Sequence, residues 1–309
     1  LEPRRESGCS LRCIGSSGAA CAAPRGRGRE MKIACLSGKG GAGKTFVAVN
    51  LAYVVSLRER GEVVYIDCDV EEPNGRLFFK PEGVREEAVC SLLPAFDEEA
   101  CTGCKECVRF CRFHALLYIA DKPMVFAEMC HSCGGCRMVC PAHAVTEIEK
   151  PVGKLEVGAA DGVSVVTGVL DTGEASGIPV IRDALGHAGG LTVIDCPPGS
   201  ACSVTESVAD ADYCILVAEP TAFGFHNFKM VHELVRLMGK KCGVVVNKQD
   251  GPFPPLDAYC EEAGVEVLAR IPYDAGVAVS VADGRVAAKE DERVRAWFED
   301  VLGKVEAAL

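Results

Sequence analysis

The chain has 309 residues, 49% of them hydrophobic, and carries 44 acidic against 33 basic side chains for a net charge of −11. That size supports one large core with room for a small second domain. The acidic balance argues against an electrostatic grip on nucleic acid or on an anionic lipid surface, and no apolar run approaches the length of a membrane span.

Nineteen cysteines stand out. A small secreted domain would use them as disulfides; a long, well-cored acidic chain points instead to metal ligation. Eight fall in two runs, Cys101 to Cys111 and Cys130 to Cys140. Cys35, Cys68, Cys196 and Cys214 lie in apolar strand-like runs, where a thiol packs as a small hydrophobe. Residues 1–30 differ from the rest, with six Arg and three Glu among Gly, Ser and Ala. No apolar stretch of signal-peptide length follows Arg4 and Arg5. The expectation is a disordered, non-native tail whose Cys9, Cys13 and Cys21 are not ligands, with Met31 as the natural start.

From Met31, "MKIACLS" predicts a strand and "KTFVAVNLAYVVSLRERG" a buried helix that stops at Gly61. Between them, Gly38-x-x-x-x-Gly43-Lys44-Thr45 matches the P-loop pattern in its strand–loop–helix setting. Gly38, Gly40, Gly41, Ala42 and Gly43 let backbone N–H groups close on phosphate oxygens, and the helix N-terminus adds its dipole. Lys44 is expected to reach the β and γ phosphates, and Thr45 to ligate Mg²⁺. "EVVYIDCD" predicts the next strand and ends on Asp67 and Asp69.

The pattern then breaks from 89 to 149. Cys101, Cys104, Cys107 and Cys111 form C-x2-C-x2-C-x3-C, and Cys130, Cys133, Cys136 and Cys140 repeat it before Pro141. This is the spacing of bacterial two-cluster ferredoxins, in which the fourth cysteine of each run serves the other cluster. The expected ligand sets are therefore Cys101, Cys104, Cys107 and Cys140 for one [4Fe–4S] cluster, and Cys130, Cys133, Cys136 and Cys111 for the second. A zinc site would use two spaced pairs rather than two quartets. Arg112 stands where ferredoxins place Pro. His114, His131 and His143 are read as surface residues.

After Lys150 the rhythm resumes. "VSVVTGVL", "LTVIDCP", "YCILVAEP", "CGVVVNK" and "VEVLARIP" predict strands, and their near-continuous apolar runs fit a parallel sheet covered on both faces. The predicted fold is thus α/β: a mostly parallel P-loop NTPase domain in two parts, 31–88 and 150–309, with helices on both faces, interrupted at 89–149 by a small α+β ferredoxin domain. The last helix presents Trp297, Phe298, Val301, Leu302 and Val305 as a stripe. Its polar face mixes both charge signs, so docking on the sheet is expected rather than membrane binding. "NKQD" at Asn247 to Asp250 matches the guanine-reading pattern of GTPases.

Several of these residues carry a family resemblance. Lys39, just after the first glycine of "GKGGAGKT", resembles the extra lysine of the deviant Walker A loop in the MinD/ParA/Mrp ATPases. The whole body from Met31 resembles those MinD-superfamily members that contain an inserted ferredoxin domain. The resemblance implies ATP-dependent homodimerisation, with Lys39 crossing to the partner's nucleotide. It implies that Asp69 orients the attacking water, that Asp67 supports the magnesium, and that Asp195 of "VIDCPPG" acts in the Walker B role. It also implies that Asn247, Lys248 and the stretch around Pro272 and Asp274 hold the base, favouring ATP over GTP.

These readings converge on a cytoplasmic, Mg²⁺-dependent ATPase, with Lys39, Lys44 and Asp69 as the catalytic side chains. Nucleotide-driven dimerisation or switch motion would be coupled to electron transfer through two [4Fe–4S] clusters. The expected partners are a second copy and a redox protein or a metallocofactor-assembly client; nucleic acid and stable membrane association are not expected. Two alternatives are an iron–sulfur assembly or carrier ATPase and a MinD-like positioning ATPase. Against a bridging cluster, no C-x-x-C follows Cys140, and Cys202 is expected to be a packed loop thiol.

Overall fold

In the computed structural model the described residues are 30–58 and 61–309. The reading of 1–30 as a tail, with its three cysteines, falls on residues that, except for Glu30, lie outside them. Among the described residues, eleven strands run in chain order as β1 (Met31–Leu36), β2 (Val63–Asp67), β3 (Glu82–Phe96), β4 (Leu116–Ile119), β5 (Lys122–Val125), β6 (Val145–Ala160), β7 (Val163–Leu170), β8 (Leu191–Asp195), β9 (Tyr213–Ala218), β10 (Lys241–Gln249) and β11 (Glu266–Pro272). Nine of them form one sheet in the order β11-β10-β9-β1-β8-β2-β7-β6-β3. The pairings from β11 across to β7 are all parallel. The centre of the sheet is dry. β2, β8 and β9 are buried at every position, as fits strands covered on both faces.

The helix Lys44–Arg58 follows β1 and is buried almost all round, from Phe46 to Val55. Valine and tyrosine are indifferent helix formers, so burial rather than propensity holds this segment helical. The C-terminal helix Glu292–Ala308 buries Val294, Phe298, Val301, Leu302 and Val305. Phe298 meets Phe46 of the first helix edge-to-face at 5.6 Å.

By internal contacts the described residues fall into two units. The larger holds residues through Glu87, Lys154–Val169 and Val180–Leu309; the smaller holds Ala88–Gly153 and Leu170–Pro179. The grouping of Leu170–Pro179 with the smaller unit differs from the sequence reading, which left that stretch in the large domain. A backbone bond from Asp171 N–H to Val152 O and the ion pair of Lys150 with Glu174 (2.8 Å) account for it. A second difference concerns β3 and β6. Neither is among the predicted strands, and they form strands of 15 and 16 residues. β6 turns into β7 through Asp161 and Gly162, both at positive φ (51° and 78°), the backbone of a two-residue hairpin.

In the smaller unit β4 and β5 form an antiparallel hairpin turned at Ala120 and Asp121. The short helices Glu106–Phe110 and Gly135–Met138 follow the first two cysteines of each run and carry the third, Cys107 and Cys136. The backbone repeats itself. Positive φ recurs at Gly103 and Ser132 (68° and 50°), at Lys105 and Gly134 (62° and 68°), and at His114 and His143 (53° and 50°). Each pair lies 29 residues apart, the offset that also superposes the two cysteine runs. The two halves therefore share one local chain path.

Candidate functional site

The first site lies at the C-terminal ends of β1, β2 and β8, where ligands bind in open parallel sheets. Lys44 opens the helix after the glycine loop and is 6% exposed. A buried ammonium needs a counter-ion. It has Asp195 at 2.6 Å, with Asp69 further off at 3.8 Å. Burial opposes the charge on Lys44, but the Asp195 carboxylate overrides it and keeps the amine charged. The Tyr65 hydroxyl donates to the other oxygen of Asp195 at 3.0 Å.

Asp67 sits directly across from Asp195 in the sheet register, and both are fully buried. Backbone N–H groups of Asp69 and Gly75 donate to the two Asp67 oxygens at 3.1 and 2.8 Å. Burial and the neighbouring Asp195 nonetheless push the Asp67 carboxyl up to about 7. Asp69 is pushed up to about 6, again mainly by burial. Three carboxyls thus face a single buried lysine. A divalent cation would relieve that surplus of negative charge, so the donor set fits Mg²⁺. Thr45 is half-buried beside Lys44.

The glycine loop is shaped by its neighbours. Gly43 has φ +96°, and a Cβ there would lie 2.1 Å from Asn247 Nδ2; at Gly38 it would lie 2.3 Å from the Asn227 carbonyl oxygen. At Gly40 and Gly41 an added Cβ would meet nothing within 4 Å, so that face of the loop is open. Asn247 donates to the carbonyl of Ala42 at 2.9 Å, and Lys248 to that of Gly41 at 2.6 Å. The base-loop residues are thereby tied to the phosphate loop. Pro272 is exposed at the end of β11. Asp274 has a second employment that its spacing does not reveal. It caps the helix Ala275–Ala282 by accepting from Val277 N–H at 3.0 Å, and it faces Arg293 at 3.4 Å.

Lys39 is half-buried and ion-paired within its own chain to Glu219. Glu219 also pairs with Lys248 at 2.8 Å, and Lys39 lies 5.4 Å from the Phe223 ring centre. Sequence reading missed Glu219 and Tyr65. Glu219 ends the apolar run "YCILVA", the same signal that marked Asp67 and Asp195. A tyrosine inside a buried strand carries no such mark.

The second site is in the smaller unit. One cavity is lined by Cys101, Cys104, Cys107 and Cys140, with Tyr118 and Lys105 among its walls. Another is lined by Cys130, Cys133, Cys136 and Cys111, with Arg112, His131 and Glu147. In each, three cysteines of one run meet the fourth of the other. Among the described residues, no three of Cys, His, Asp and Glu converge as ligands of a single metal ion. Thiolates around a four-iron cluster each bind a different iron, so they surround a cage rather than meet at a point. Cavities lined by four thiols fit such a group. The backbone N–H of Ala144 also points at Cys140 Sγ at 3.3 Å. Phe113 stacks on His131, with ring centres 3.8 Å apart.

Elsewhere, Cys35, Cys68, Cys196 and Cys214 are buried free thiols. Cys202 is exposed at the start of the helix Cys202–Val208, which corrects its reading as a packed thiol; as the helix's first residue it has no turn above it to cover it. Among the described residues, no helix is long and apolar enough to cross a membrane.

Comparison with known proteins bears on the larger site. The chain is similar to an uncharacterised protein of Methanocaldococcus jannaschii, MJ0578, with 28% identity over 225 residues, 71% of this chain and 78% of that protein. An uncharacterised ATP-binding protein of the same organism, MJ0823, shares 27% identity over 273 residues, 85% and 96% of the two chains. Among solved structures, the cell division ATPase MinD of Pyrococcus furiosus matches with TM-score 0.57 at 19% identity, over 91% of this chain and 100% of that one. The septum site-determining protein MinD of Pyrococcus horikoshii, complexed with Mg-ADP, matches with TM-score 0.56 at 19% identity, over 90% and 97%. These structural likenesses establish the MinD-like P-loop fold. The model of the CobQ/CobB/MinD/ParA nucleotide-binding domain matches residues 33–287, and the chain belongs to that family.

Proposed function

We propose that this protein is a Mg²⁺-dependent ATPase that couples nucleotide-driven pairing of two copies, or the motion of its switch segments, to electron transfer through two [4Fe–4S] clusters. The observation that carries the reading is the crossed sorting of eight cysteines into two cavities, three from one run and one from the other in each. When bound, the clusters supply one-electron transfer. Cys101, Cys104, Cys107 and Cys140 would hold one, and Cys130, Cys133, Cys136 and Cys111 the other.

At the nucleotide site the chain's own residues have defined tasks. Lys44 neutralises phosphate charge, and Thr45, Asp67 and Asp195 hold the magnesium directly or through water. Asp69 orients the attacking water. Asn247, Lys248, Pro272 and Asp274 bound the base. Lys39 reaches the nucleotide of a partner copy. ATP is the favoured nucleotide, supported by the name that one relative carries. The smaller unit leaves the larger along β3, shortly after Asp69, and returns before β8, which ends on Asp195. Ordering of those segments by a γ-phosphate is therefore a physical route from nucleotide to cluster. The partner on the redox side would be a redox protein or a metallocofactor-assembly client.

The MinD-like positioning alternative is consistent with the family and the fold; the last helix buries Phe298, Val301, Leu302 and Val305 of its apolar stripe, with Trp297 half-buried. The test is anaerobic preparation followed by iron analysis, EPR and ATPase assay. The reading expects about eight irons per chain, a low-potential signal on reduction, and hydrolysis rates that differ between oxidised and reduced protein. Zinc alone, or equal rates in both states, would sink it. Iron well above eight would favour the carrier alternative.

A further inference from the structure

We infer that Glu219 is a positioning residue for the phosphate loop: it holds Lys39 in its own chain and so sets the nucleotide concentration at which two copies pair. The inference rests on the reading of Lys39 as the lysine that crosses to a partner.

Three observations carry it. Glu219 pairs with two lysines at once, Lys39 through one carboxylate oxygen and Lys248 through the other. Its side chain is 12% exposed, so the carboxylate is screened from water and its attraction for both cations is correspondingly stronger than at an open surface. Its place is also fixed. Glu219 follows β9, and its carbonyl accepts from Thr221 N–H at 2.8 Å. Thr221 in turn caps the helix Ala222–Leu237 by accepting from Gly224 N–H at 3.0 Å. Gly38, at the start of the phosphate loop, packs against Asn227 of that helix with no room for a Cβ. The carboxylate is thus held rigidly beside the loop whose lysine it binds.

The consequence is a competition. Lys39 cannot pair with Glu219 and also reach a phosphate in another chain. Lys44 is already paired with Asp195, and Lys248 shares Glu219 and also binds Gly41 O. The loop's cations are balanced internally. A triphosphate and a second copy must therefore outbid Glu219 before Lys39 changes partner. Phe223, 64% exposed and beside the Lys39 ammonium, holds the lysine over its ring in the same position. Charge complementarity inside one chain thereby opposes pairing until nucleotide tips the balance.

The test uses the full chain with Glu219→Gln, which keeps the shape and removes the charge, alongside Lys39→Ala. One readout needs no pairing: the rate at which an amine-acylating reagent modifies Lys39, followed by mass spectrometry. Glu219→Gln should raise it about two- to fivefold, the span that a part-exposed ion pair supports. The second readout is the concentration of a non-hydrolysable ATP analogue that gives half-maximal dimer by light scattering. It should fall by a similar factor in Glu219→Gln after correction for the analogue's affinity for the single chain, measured separately by titration below the pairing concentration. An unchanged acylation rate overturns the holding role. Faster acylation with an unchanged or raised half-point overturns the threshold role. Should Lys39→Ala pair as readily as the natural protein, the cross-chain reading of Lys39 falls and the threshold role with it, while the acylation result still decides whether Glu219 holds the lysine.

Discussion

Gly43 shows how much a single residue decides here. Its backbone has φ +96°, and the space where a Cβ would stand is taken by Asn247 Nδ2 at 2.1 Å. Gly43→Ala should cost about 1–3 kcal/mol of stability and displace Asn247 from Ala42 O. The check is a lowered melting temperature together with weaker nucleotide binding in a fluorescence titration. His232 makes a different point. It is buried, its Nδ1 lies 2.8 Å from the Tyr259 hydroxyl, and burial lowers its pKa below the ordinary histidine value. The folded state thus disfavours the proton. The stability this site contributes is complete above the unfolded pKa and is lost as pH falls through the folded one. His232→Gln should flatten the fall of melting temperature between about pH 7 and pH 5.

At the scale of elements, the last helix is where packing is most exposed to a test. Phe298 is fully buried against Phe46. Phe298→Ala should cost about 3–5 kcal/mol in denaturant unfolding, because the rigid first helix and sheet cannot collapse into the void. Its stripe of Phe298, Val301, Leu302 and Val305 was readable from the 3.6-residue period. The central strands were readable for a similar reason. "VSVVTGVL" is β7 to the residue, since a strand buried on both faces needs an unbroken apolar run. β3 and β6 were not readable. Charges break the period-two pattern, as at Arg85, Glu86 and Glu87 of "EGVREEAV", and nothing local says that a sheet edge awaits them. The one available signal was Asp161–Gly162, a hairpin dipeptide that identifies β6 once β7 is accepted.

For the molecule as a whole, the crossed cysteine pairing is the feature to challenge. Cys101→Ala combined with Cys140→Ala should remove one cluster, leaving about four irons per chain, because both residues line one cavity. Cys130→Ala combined with Cys140→Ala should remove both clusters, because these two line different cavities. Iron and sulfide analysis of the two double variants separates a crossed arrangement from one in which each run serves itself.

The sequence by itself determined the chemistry on offer: a glycine loop before a helix, acids at strand ends, and two cysteine runs in register 29 residues apart. Those are local facts, set by backbone freedom, dipoles and ligand spacing within a few residues. Which groups face one another was decided only in three dimensions. Asp67 opposes Asp195 because β2 and β8 are neighbours, Lys39 meets Glu219 from 180 residues away because β1 lies beside β9, and Asp274 serves as a helix cap as well as a candidate base contact. Partnership between distant residues follows from strand order, and strand order comes from burying the whole sheet at once rather than from any one segment.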